Sequence, residues 1–363
     1  MIDVRRDPLP DAVDTVVIGT SPLMLLRACE QARNGRSVLI LDRSRIPGGA
    51  WNSPPFLGYE SVESGVHLIE NRRSVYDFLQ RFGIELTGND RHAAGAIGSL
   101  AIPLGSARAL SFWGVLGKSF IRGDFGNAWK SLPRAIRSSI AFSAGFRYPV
   151  GGTNGMVTSI LERLREHPVD IRLDCEIDHV RLDSDRPEGI CLSSRGDVRF
   201  RHLLFSSRAH CMIRRGETAL VPKCVSRRIV NLLIRLKTGT IRPISYLEII
   251  SDRQLRRARD VTDFVRPSMP SGERMLCLEL RGDRSDSEER TVEAALARAR
   301  RYRLIGPSCE VMETRLVDFD YRTIPERELR RLSESHESLD GVRTTDFAEE
   351  LVGVLRDLDH VRP

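Results

Sequence analysis

Long apolar runs are missing from this chain of 363 residues. A membrane-crossing helix needs about 20 consecutive apolar residues, so no transmembrane segment is expected. The opening stretch, MIDVRRDPLPDAVD, holds acids and prolines but no apolar block, and no signal peptide is expected from it. Cysteine is sparse: seven residues, at 29, 175, 191, 211, 224, 277 and 309, none in a CxxC pair. An odd number of scattered thiols points to a reducing compartment and a cytoplasmic protein. The eight histidines show no ligand spacing, so no metal is assigned. Zinc spacings, helix-turn-helix patterns and RNA-binding signatures are lacking, which excludes nucleic acid as the expected partner. Internal repeats and low-complexity tracts are lacking as well.

What is present is an ordinary globular composition. Hydrophobic residues make up 41% and charged residues 29%, enough for a real core. Lys and Arg number 56 against 49 acids, so the net charge of +7 is a small excess spread over many arginines. A diffuse excess of this kind defines no polyanion partner. The length suggests two or three domains.

The first periodic unit spans Asp14 to Ser53. Thr15–Ile18, TVVI, is short, β-branched and continuous, which predicts a buried parallel strand. Leu23 to Asn34 has a helical pattern, with Gly35 as its stop. Ser37–Leu41, SVLIL, predicts a second buried strand, ending in Asp42. Strand, helix and strand of this length require a parallel pair with a right-handed crossover. Further on, 71–82 predicts a helix with Val75, Phe78, Leu79 and Phe82 on one face, and 157–167 another. Strands are expected over 170–180, 189–192, 198–206, 274–280 and 310–320, and two more within 229–250. A charged helix is expected over 285–301, and a final helix over 345–358 with Thr or Asp near its N-cap. Between Gly105 and Arg147, basic residues interleave with aromatics at 112, 113, 120, 125 and 129. Such a face could rest on a membrane surface. Glycines interrupt any long helix there, which favours a helical subdomain over a cleft.

The turn after the first strand is Gly19-Thr20-Ser21-Pro22-Leu23-Met24. A dinucleotide-binding turn uses three glycines: one to bend, one for approach to the pyrophosphate, one for helix–strand packing. Here only Gly19 is glycine; Ser21 and Met24 stand at the other two positions. Ser21 is small and its hydroxyl can meet a phosphate oxygen. The N-terminus of the following helix still offers N–H groups and a positive dipole end. Asp42 lies about 20 residues on, where an acid accepts from a ribose hydroxyl.

The stretch DRSRIPGGAWNS, which carries Asp42, Arg43, Gly48, Gly49 and Trp51, resembles the second fingerprint of flavin proteins in the glutathione-reductase-like superfamily. More narrowly it resembles the group of flavin amine oxidases, protoporphyrinogen oxidases and UDP-galactopyranose mutases. ESGVHLIENRRSVYDFLQRFGIEL, IPLGSARAL, YPVGGTNGMVTSILERLREHPVDIRLDCEIDHVRLD and LDGVRTTDFAEELVGVL are similar to successive segments of that group, in the same order. The resemblance implies an α/β fold: a Rossmann-type FAD-binding domain with an inserted mixed-sheet substrate domain and a helical subdomain. The FAD-binding domain would comprise 1–98, 148–205 and 330–363, the basic helical subdomain 99–147 and the substrate sheet 206–329. It implies that Gly19 and Ser21 face the pyrophosphate of FAD, Asp42 the adenosine ribose and Ile177 the adenine, with Arg43 and Trp51 also among the cofactor-binding residues. Gly48 and Gly49 would line the approach to the flavin. His67 would lie near the isoalloxazine, and Thr345, Asp346 and Phe347 would meet the cofactor from the last helix.

Two functions stay open. One is an FAD-dependent oxidoreductase or flavin-dependent isomerase acting on an anionic small molecule, the arginines serving its charge. The other is a non-catalytic binding protein, since the opening turn also resembles the Rab GDP-dissociation inhibitor and Rab escort branch. His67 has a plainer role available as well, a loop histidine bonded to backbone.

Overall fold

The computed structural model describes residues 8–103, 146–335 and 339–342, apart from 66, 68, 71–72, 88–92, 98–99, 183–187, 193–195, 210–211, 216–217, 238–245, 250–251, 253 and 282–286, and also describes Leu110, Trp113 and Ile121. In chain order the elements are β1 (Thr15–Ile18), α1 (Pro22–Arg33), β2 (Val38–Leu41), β3 (Ile69–Glu70), α2 (Arg73–Arg81), β4 (Ala93–Ile97), β5 (Leu100–Pro103) and β6 (Phe146–Arg147). There follow α3 (Gly152–Leu164), β7 (Val169–Arg172), β8 (Ile177–Arg181), β9 (Glu188–Leu192), β10 (Gly196–Phe200), β11 (His202–Ser206), β12 (Met212–Arg215) and β13 (Thr218–Leu220). The chain continues with β14 (Val225–Lys237), β15 (Tyr246–Ile249), β16 (Leu255–Asp260), β17 (Glu273–Arg281), α4 (Glu288–Arg301), β18 (Glu310–Thr323), α5 (Glu326–Ser335) and β19 (Leu339–Val342).

The first sheet has the order β19-β11-β1-β2-β7, with every pair parallel. β1 and β2 are buried along their whole length, as continuous β-branched and aliphatic runs require. One face is covered by α1, α2 and α3, whose Leu25, Leu26, Phe78, Leu79, Ile160 and Leu161 share a core with Val17 and Ile40. The opposite face packs on a second layer, the sheet β10-β9-β8-β12-β13, through Val180, Val198, Phe200 and Ile213.

Two corners depart from the sequence expectation. The strand expected over 170–180 is two strands: Asp174, at φ +53°, turns the chain out of the parallel sheet and into the layer behind it. The run 198–206 likewise divides at Arg201, between β10 and β11. Its apolar residues serve two different sheets, so the hydrophobicity runs on across the corner.

The third sheet has seven strands in the order β18-β14-β17-β16-β15-β4-β5. It is antiparallel except where β15 meets β4. One face carries α4, which is capped by Ser287, acidic in its first turn and basic in its last, so both ends suit the helix dipole. The other face meets Val62 of the first region through Leu233, Tyr246, Met275 and Cys277. The division expected after residue 98 falls between β4 and β5, two strands of one hairpin in this sheet. β12 and β13 pair with β8 and each other, so the third sheet takes up the chain again only at β14. The basic subdomain expected over 99–147 lies outside the described residues between 122 and 145 and for most of 104–121, as does the closing helix over 345–358. Among the described residues no helix is long and apolar enough to cross a membrane, and no cluster of His, Cys, Asp or Glu could hold a metal ion. The architecture is α/β, with a parallel sheet and a second, mixed sheet.

Candidate cofactor site at the ends of the parallel strands

The C-terminal ends of β1, β2 and β11 converge on the first turn. Gly19 leaves β1 at φ +108° and donates its N–H to the Leu41 carbonyl at 2.8 Å. Thr20 is fully buried. Its N–H and its hydroxyl both donate to Asp42 Oδ2, at 2.8 and 2.5 Å. Ser21 is the N-cap of α1, yet its hydroxyl makes no cap bond. That oxygen is buried and has no hydrogen-bond partner among the described residues. Pro22 is the first helical residue, where a missing N–H costs nothing. Met24 is fully buried with Val17, Leu26 and Ile40, so its bulk fills the helix–sheet core.

The glycine pair closes over this turn. Gly48 lies at φ +112° and donates to the Thr20 carbonyl at 3.0 Å. A Cβ on Gly48 would meet the Asn52 backbone at 3.1 Å and Val157 Cγ2 at 3.2 Å. Gly49 lies at φ +57°, and a Cβ there would stand 3.3 Å from Ser21 Cβ. These residues fit a dinucleotide. The buried Ser21 hydroxyl lacks an acceptor, it stands at the positive end of a twelve-residue helix, and a phosphate oxygen would supply what it lacks. Asp42, expected to face the ribose, has a carboxylate that accepts from Thr20 and, through Oδ1, from the Ser44 N–H at 2.8 Å. Arg43 is exposed at the strand end, and Ile177 opens β8, packed against the core behind the sheet.

Trp51 and His67 form a stacked pair, with centroids 4.4 Å apart and planes 12° off parallel. His67 Nε2 lies 2.8 Å from the Ala50 carbonyl, which can only accept, so this nitrogen carries the proton. Burial pushes the His67 pKa down to about 3; the Ala50 bond opposes this, and the charges of Arg257, Arg259 and Arg208 add to it. The imidazole is therefore neutral near pH 7, and it anchors the loop through backbone as well as stacking on Trp51. Thr345, Asp346 and Phe347 lie outside the described residues.

Sequence reasoning missed the group that joins the two regions. Glu63 is buried and accepts the Tyr148 hydroxyl at 2.7 Å, the Thr153 N–H at 2.6 Å and the Thr153 hydroxyl at 3.2 Å. Thr153 stands in the first turn of α3, whose N-cap, Gly151, has no side chain to offer. A carboxylate from a distant loop thus caps that helix and meets its dipole. Burial raises the Glu63 pKa; the Arg259 charge and these bonds oppose the rise. The Arg259 guanidinium lies 3.3 Å from the centre of the Tyr148 ring and donates to the His67 carbonyl at 3.0 Å. Asn231 Nδ2 reaches the Ser64 carbonyl from β14. The loop 61–67 is thereby held by the third sheet on one side and by α3 on the other. A lone acid in a Gly- and Ser-rich loop reads as solvated. Its nearest signal was Gly152, at φ +69°, where a Cβ would collide with Glu63 Oε1.

No family model and no curated protein matches the sequence. Solved structures match the fold over nearly the whole chain. Reduced UDP-galactopyranose mutase is 14% identical with a TM-score of 0.70, over 96% of this chain and 95% of its own. Wild-type putrescine oxidase bound to putrescine is 12% identical with a TM-score of 0.65, over 98% of this chain and 100% of its own. Rab GDI from Plasmodium falciparum is 13% identical with a TM-score of 0.56, over 96% of this chain and 97% of its own. The chain therefore has the fold of the group that its motifs resemble, a fold carried by an oxidase, a mutase and a GDP-dissociation inhibitor.

Proposed function

We propose that this protein is a flavoprotein of the oxidoreductase or flavin-dependent isomerase type, with FAD lying across the first region and a small anionic substrate beside the third sheet. The observation that carries this reading is the buried Ser21 hydroxyl at the head of α1, beside Gly49 and without a partner among the described residues. In open α/β sheets ligands bind at the carboxyl ends of the strands, and this turn occupies that position. FAD, when bound, supplies the hydride or nucleophilic chemistry that side chains lack. Ser21 would donate to a pyrophosphate oxygen, and the N-terminal dipole of α1 would favour its charge. Trp51 and His67 would wall the flavin end. His67, held neutral, would orient groups without exchanging protons near pH 7. Arg208, Arg257 and Arg259, all near enough to act on His67, would attract a carboxylate or phosphate.

The second reading, a binding protein without flavin, is supported by Asp42, whose carboxylate is already engaged within the turn. A visible spectrum separates the two. Purified protein is expected to absorb in the flavin bands, with about one FAD per chain released on denaturation. A colourless protein that FAD neither binds nor stabilises would leave the second reading standing. Gly49→Trp should abolish FAD retention by driving its side chain into Ser21. Unchanged retention would place the cofactor elsewhere.

A further inference from the structure

We propose that Thr20 and Asp42 form a latch that sets the first turn in its binding shape before any ligand arrives, so that Asp42 positions the turn instead of reading the ribose. The proposal rests on the reading of this turn as a dinucleotide seat only for its ligand-binding arm.

A carboxylate offers about four acceptor positions. Three are taken within the protein: Oδ2 by the N–H and hydroxyl of Thr20, and Oδ1 by the N–H of Ser44. The backbone that carries Asp42 is fixed as well. Its N–H donates to the Arg172 carbonyl, and its own carbonyl accepts from the Cys175 N–H, both at 3.0 Å. The carboxylate therefore projects from main chain held by β7 and the turn that follows. The Thr20 hydroxyl donates to Asp42 and accepts from the Gly48 N–H at 3.2 Å. One buried hydroxyl thus ties together the end of β2, the first turn and the glycine pair.

The reason for such a latch lies in the turn itself. Glycines at the second and third positions would let the backbone settle close to helix and ligand. Ser21 and Met24 stand there instead, and Ser21 Cβ already lies against Gly49. A turn without those glycines keeps its shape through side-chain hydrogen bonds. Bonds to an ionised carboxylate are the strong kind, and they act whether or not a ligand is present.

The two roles of Asp42 separate in ligand-free protein. A ribose reader leaves ligand-free stability alone, whereas a latch does not. Thr20→Val keeps the shape of the side chain and removes the hydroxyl. It is expected to lower the ligand-free melting temperature by about 3–6 °C. Asp42→Asn is expected to do likewise, and the double variant to lose less than the sum of the two single losses, because both disturb the one bond between the Thr20 hydroxyl and Asp42. Thr20→Ser keeps the hydroxyl and loses only a buried methyl group, so it should melt well above Thr20→Val. FAD affinity of Thr20→Val should fall about tenfold, as the competent turn becomes a minor population.

Melting of Thr20→Val within about 1 °C of wild type would overturn the latch, as would fully additive effects in the double variant. Should Asp42→Asn fail to fold, the comparison of Thr20→Val with Thr20→Ser decides alone. Failure of the wild type to take up FAD would remove the dinucleotide reading and leave the melting result to decide the latch.

Discussion

The parallel sheet and the mixed third sheet bury different chemistry. In the first, the central strands β1 and β2 are aliphatic but for Thr15, and the buried charge lies on β7, where Arg172 at 2% exposure pairs with Asp170 at 2.7 Å. In the third, the strands themselves place Asn231, Arg259 and Glu279 inside the protein, at 3, 4 and 5% exposure. Buried polar side chains are costly unless bonded. Glu279 is met by Arg256 at 2.8 Å and by Arg257 at 3.6 Å, and Arg259 reaches the loop of His67. The first sheet is thus a scaffold that offers a site at its edge, while the third is built polar where it meets that site.

The sharpest way to break this contrast is at Gly152. Valine there must adopt φ +69° and collide with Glu63 and with Phe264 Cδ1 at 2.8 Å. A loss of more than about 4 kcal/mol is expected, seen as failure to accumulate folded protein. Wild-type levels and melting would mean that the junction yields more easily than its packing implies. Next in size is Glu63→Leu, which strips Tyr148 and Thr153 of their acceptor and Arg259 of its neighbouring negative charge at once. About 3–5 kcal/mol should be lost in urea unfolding, because a buried arginine is left uncompensated. A near-neutral result would show Arg259 to be satisfied by Tyr148 and the His67 carbonyl alone.

The pH dependence tests the same junction. His67 has an ordinary value of 6.5 and a folded value of about 3. Between these the unfolded chain binds a proton that the folded chain refuses, so stability falls as pH drops from 6.5 toward 3. His67→Asn should flatten this part of the urea midpoint–pH curve; an unchanged slope would shift the cause to the carboxylates. The smallest effect is expected far from the junction. Arg163→Ala breaks a half-exposed pair with Glu166, and about 0.5 kcal/mol or less should follow.

Much of the first sheet was legible because its signals are local. TVVI and SVLIL announce buried strands, and Gly19 announces the bend between strand and helix. The convergence of Gly19, Ser21, Asp42, Gly48 and Gly49 was legible too, through their order and through the resemblance. The partner of Asp42 was not, since Thr20 lies 22 residues back and reads only as the variable residue of the turn. Glu63 was lost for the same reason: its hydrogen-bond donors stand 85 and 90 residues away. The corners at Asp174 and Arg201 were hidden because the runs they divide stay hydrophobic on both sides.

By itself, then, the sequence determined the parallel strand–helix–strand unit, the tight turns and the mixed α/β class, because periodicity and turn chemistry act over a few residues. Tertiary structure alone decided which polar groups meet. It turned Asp42 toward Thr20, left the Ser21 hydroxyl buried without a partner among the described residues, and brought Glu63, Tyr148 and Arg259 together. Those outcomes depend on where distant segments pack. Burial then makes an unpaired donor or acceptor costly, so most of them find a partner.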